Sequence, residues 1–132
     1  MNQGYFLNEQ AVIANFTGMT AAGTYVPTNG PVRIPIGAII TDLIVVENTA
    51  LAGASTTYKF FVDAVSGTTD TDLTGAVTLA SFTGLNSLMH LASTGVSATM
   101  TGKVADTGNL KLTTTNTVSA GDIDVIVKFA LA

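Results

Sequence analysis

The sequence has no cysteine and no tryptophan, and only 11% of its 132 residues are charged. Each shortage excludes something. Without cysteine there is no disulfide, no thiolate nucleophile and no Cys-ligated metal. Small secreted domains often lean on cross-links; this chain must be held by its core or by partners. The basic residues are Arg33, Lys59, Lys103, Lys111 and Lys128. They are scattered and leave no electrostatic footprint for nucleic acid. A net charge of −4 is too mild to demand a basic partner. The first ten residues, MNQGYFLNEQ, have no basic flank and no long apolar run, so they do not read as a signal peptide. The sequon at Asn15, Phe16 and Thr17 is then accidental.

What remains is apolar. Hydrophobic residues make up 47% of the chain, too many for a disordered protein, while an average globular domain is about 25% charged. The length fits one domain over residues 1–132, large enough to bury its own core. Much apolar surface and little charge leave two readings: a membrane protein, or one whose outside is covered by other protein. Residues 34–54, IPIGAIITDLIVVENTALAGA, test the first. A spanning helix needs about 20 mostly apolar residues, and Asp42 in the middle of this stretch is costly in lipid. Pro35 and Gly37 punctuate its start. A buried strand followed by a turn fits better, and a membrane location is not expected.

Frequent Thr, Val and Ile favour extended structure, and glycines recur at intervals typical of turns. The last strand is the clearest. From Asp122 on, Ile123, Val125, Val127, Phe129 and Leu131 alternate with Asp122, Asp124, Ile126, Lys128 and Ala130, which puts one set on each face. The pair Ala120 and Gly121 reads as the turn before it. Leu110 and Leu112 alternate with Lys111 and Thr113, and Tyr58, Phe60 and Val62 with Lys59, Phe61 and Asp63. Residues 39–48 are apolar on both faces, which places them centrally. Residues 10–16, 32–36 and 96–104 complete the set. Within 70–92, Leu73, Val77 and Ala80 or Phe82 approximate helical spacing, as do Leu85, Leu88, Met89 and Leu91, giving a short helix or structured loop. The expected fold class is all-β: a two-sheet antiparallel β-sandwich, jelly-roll-like.

The search for chemistry returns little. His90 is the sole histidine and sits among Leu88, Met89 and Leu91, without a local nucleophile or orienting carboxylate. It reads as a packed or interface residue. No nucleophile elbow, zinc-protease motif or P-loop is present. Asp70 with Asp72, and Asp122 with Asp124, are pairs two residues apart. Calcium needs six to eight oxygens, so the pairs read as a polar turn and a solvated sheet edge. A glycosidase would need an aromatic-rich cleft, and the chain has three Tyr and no Trp. No enzyme, metal or cofactor is expected.

Several segments in fixed order carry a resemblance. Residues 34–47, IPIGAIITDLIVVE, lead with an apolar-Pro-x-Gly-Ala pattern into a long strand. The turn NTALAG at 48–53 follows, then YKFFVD at 58–63, TDLTGAVTLA at 71–80 and AGDIDVIVKF at 120–129. Together they resemble the small capsid decoration, or cement, proteins of tailed bacteriophages. The resemblance implies a structural virion protein on the outer surface of the head, often a homotrimer, bound to the major capsid protein and assembled in the host cytoplasm. A low-charge surface suits burial against neighbours, and the absence of disulfides suits a reducing compartment. No catalytic residue carries over. Two interface candidates follow from the sequence itself. Tyr5, Phe6 and Leu7 would dock on a neighbour as part of an extended arm over residues 1–9, and Met89, His90 and Leu91 would lie between subunits. The competing readings are another phage structural part (a head fibre base or a tail protein) and a carbohydrate- or calcium-binding β-sandwich module.

Overall fold

Two long strands carry the architecture. A computed structural model describes residues 8–67, 69–82, 84–85, 88–90 and 103–131. In it β4 (Ile39–Ala64) and β8 (Gly108–Leu131) run antiparallel from end to end. The other strands are β1 (Asn8–Phe16), β2 (Gly23–Tyr25), β3 (Arg33–Ile34), β5 (Thr71–Asp72), β6 (Val77–Thr78) and β7 (Leu88–His90). Their pairings divide the long strands in two. β1 pairs with β8 over 123–131, and β7 with β4 at 44–46. β2 and β3 pair with β8 over 108–114, and β5 and β6 with β4 over 57–62. Counting each long strand as two halves gives two four-segment layers that share their middle strands, the arrangement of a jelly roll.

The fold-over lies where β4 and β8 lose register. Most of the ladder's shifts fall between Glu47 and Thr57. Here the sequence reading needs correction: residues 48–53 and the pair Ala120–Gly121 are not turns but strand. Gly53 shows why glycine is needed without a turn. A Cβ on it would sit 1.9 Å from the Thr117 carbonyl oxygen and 2.2 Å from the Thr56 hydroxyl, so only glycine lets the strands approach this closely. Ser55 and Asn116 take left-handed backbone at φ 52° and 60°, and the Asn116 side-chain amide donates to the Ser55 carbonyl at 2.6 Å. Asparagine tolerates that region better than most residues.

The alternation read from the sequence sets the core. Tyr58, Phe60, Val62, Leu110 and Leu112 of one layer are buried, as are Ala14, Phe16, Leu43, Val45, Ile123, Val125, Val127 and Phe129 of the other. Phe16 of one layer meets Phe60 of the other edge-to-face, with centroids 6.4 Å apart. Of residues 39–48, only Ile44, Val45 and Val46 lie between β8 and β7; Ile44 is buried although it faces outward from the core, while Ile39, Thr41 and Asn48 are exposed. The expected strand at 32–36 is reduced to Arg33–Ile34. Most of the strand expected at 96–104 lies outside the described residues. Residues 70–82 form the structured loop: two short strands and one 3-10 turn at Leu79–Ser81. Leu73 and Val77 are both fully buried, so their helical spacing came from a loop that twice returns to β4. No helix among the described residues is long and apolar enough to cross a membrane.

Candidate interaction surface

One end of the sandwich gathers exposed apolar side chains. Asn8 pairs with Leu131 and Ile39 with Ala130, so β1 starts, β8 ends and β4 starts there. Residues 35–38 cross between the layers from β3, which brings the last pair of the other layer, Ala64 with Gly108, to the same end. Thr107 organises this end. Its hydroxyl accepts the Ile36 amide at 2.8 Å, and its carbonyl accepts the Val65 amide at 3.0 Å. Ile36 and Val65 therefore flank one residue, and they are 60% and 57% exposed. Ile39, the first residue of β4 at this end, is also exposed. A large apolar side chain left in water gives up the roughly 1.5–3 kcal/mol its burial would supply. Brought to one end of the sandwich, Ile36, Ile39 and Val65 are the candidate for a contact surface.

Most of the carboxylates are committed to structure. The Asp122 carboxylate accepts the Gly18 amide at 2.6 Å and the Thr49 hydroxyl at 3.0 Å. Asp124 accepts the Asn15 side-chain amide. Asp70 accepts the Ala64 amide at 2.9 Å. Asp72 pairs with Lys59 at 3.3 Å, and Asp63 with Lys111. The hydrogen bond from Lys111 holds the Asp63 carboxyl below the usual aspartate range, against a smaller opposing effect of desolvation. No group of three or more metal-ligating side chains occurs among the described residues.

One carboxylate escaped the sequence reading. Glu47 lies in an apolar run and is 5% exposed. It has no cationic partner among the described residues; two backbone amides, of Leu51 and Gly84, each donate to it at 2.9 Å. It ties the fold-over of β4 to residues 84–85, and Leu85 bridges to Glu47. Nearby, the Tyr58 ring packs against Phe82 at 5.1 Å. Burial, and then the charges of Glu47 and Tyr25, push the Tyr58 hydroxyl pKa up. The signal that could have exposed Glu47 is parity: it shares the inward phase of Leu43 and Val45.

Of the interface candidates from the sequence, Tyr5, Phe6, Leu7 and Leu91 lie outside the described residues. Met89 and His90 are in β7, at the edge of one layer, with their backbones opposite Val45 and Ile44. The apolar end around Thr107 was not anticipated. Nothing in the local pattern of Ile36 or Val65 sets them apart from core residues.

No family model matches this chain, and no curated protein does. Its fold is similar to that of a chain in the solved structure "Capsid of Ralstonia phage GP4". The two share 14% identity at a TM-score of 0.51, over 94% of this chain and 84% of that one.

Proposed function

We propose that this chain is a structural virion protein that binds the outer surface of a phage head and stabilises contacts between capsid subunits. The observation that carries the reading is the likeness, over almost the whole chain, to a chain of a phage capsid. The two coverages make that chain only slightly longer than this one. The Ile36, Ile39 and Val65 end supports the reading, since it offers apolar surface for the major capsid protein. The role is mechanical and not catalytic. Packaged DNA presses the shell outward, and a protein that bridges neighbours adds contacts across the seams. Presentation of several copies, as in a trimer, would let weak individual contacts hold firmly.

The test is binding to isolated heads that lack the protein. Purified chain should bind saturably at a fixed number per capsomer and raise the temperature at which the heads release DNA. Absence of binding, or occupancy that grows without limit, overturns the proposal.

A further inference from the structure

The free edge of β1 is closed along only half its length. On that edge the Asn15 amide donates to the Asn29 side-chain oxygen at 3.0 Å, and the Asn29 side-chain amide donates to the Ile13 carbonyl at 2.9 Å. The Asn15 carbonyl accepts the Thr28 amide at 2.7 Å and the Thr28 hydroxyl at 3.0 Å. These contacts fix the parity: the backbone groups of odd-numbered residues in β1 point away from β8. By the same alternation the amides and carbonyls of Glu9 and Ala11 point outward, and no partner meets them among the described residues. Both residues are exposed. An open pair of donors and acceptors at a sheet edge is a template for another strand.

We propose that this edge pairs with the same edge of a second copy, β1 against β1 around a two-fold axis at Gln10. Glu9 then lies opposite Ala11 of the partner copy, and the reverse. The two strands exchange about four backbone hydrogen bonds, and the contact stops short of the loop at 28–29. Such an isologous contact needs each surface to complement itself, and the charges do. Ala11 is beside Lys128 on β8, on one face of the sheet. The partner copy's Glu9 continues that row, two strand spacings or about 10 Å from Lys128 at the backbone, with only the small Ala11 between. Lys128 is half-buried, lies opposite Asp42 on its β4 side, and makes no ion pair among the described residues. A long lysine and a glutamate reach across an alanine, so the pair forms twice in the dimer.

The test is the mass of the intact protein by light scattering and sedimentation, in a concentration series rising to about 1 mM, where small contacts are populated. The wild type is expected to show reversible two-fold association of whatever unit it forms at low concentration, monomer or trimer. Ala11→Pro removes an outward amide and no bond to β8, and should weaken association about tenfold or more. Glu9→Lys and Lys128→Glu should each weaken it, and the double exchange should restore it. The double exchange stays informative even if the proline variant folds poorly. A wild-type mass independent of concentration overturns the proposal. So does association that Ala11→Pro and Glu9→Lys, with wild-type melting temperatures, leave unchanged.

Discussion

Glu47→Ala should be among the most damaging substitutions of a charged residue in this chain. The carboxylate is nearly inaccessible and accepts two backbone amides, from Leu51 and Gly84. Alanine leaves the buried Leu51 amide and the part-buried Gly84 amide without an acceptor, at a cost of about 1–3 kcal/mol for the first and less for the second. The expected loss is therefore about 1–4 kcal/mol, less what is recovered by no longer burying a charge. Glu47→Gln separates the parts. Its carbonyl oxygen can accept one amide, while its NH2 group faces the other donor, so the loss should fall to about 1–3 kcal/mol. Urea unfolding at neutral pH measures both, and amide exchange at Gly84 should accelerate in each variant. If Glu47→Ala unfolds at the wild-type midpoint, the carboxylate is not the tie between the fold-over and residues 84–85, and the reasoning fails.

Other substitutions test the fold and the surface. Gly53→Ala forces a Cβ into the Thr117 carbonyl and should cost about 3 kcal/mol or more, since the obstacle is backbone; a melting temperature equal to wild type would refute the close approach. Asp63 has its pKa lowered by Lys111, so the pair's contribution is present above the ordinary aspartate pKa of about 3.9 and is lost as pH falls through the lower folded value. Lys111→Met should thus melt below wild type at neutral pH, and the gap should close in acid; a constant gap contradicts the sign. Ile36→Ser combined with Val65→Ser removes exposed side chains only, so melting should change by about 0.5 kcal/mol or less while binding to heads drops. Retained binding would place the docking surface elsewhere.

The fold was legible where burial imposes a period of two. Phe60, Leu112, Val125 and Phe129 announce their faces because water lies on one side of the sheet and the core on the other. The joins were not legible. Gly53 and Gly121 look like turn residues in sequence, but the first is glycine because a carbonyl crowds it, a constraint set by a residue 64 positions away. The two-residue strands β3, β5 and β6 exist because β4 and β8 offer them partners, not because of their own pattern. For the candidate surface, Ile36 and Val65 become neighbours only through Thr107, and no spacing in sequence encodes that.

The most direct measurement is a reconstruction, by electron cryomicroscopy, of phage particles assembled in the presence of this chain, at a resolution that traces strands. The account predicts the two-layer sandwich outside the continuous shell, at one repeated site, with the Ile36 and Val65 end against the major capsid protein. Density for the sandwich within the continuous shell, in the tail, or nowhere on the particle would contradict it.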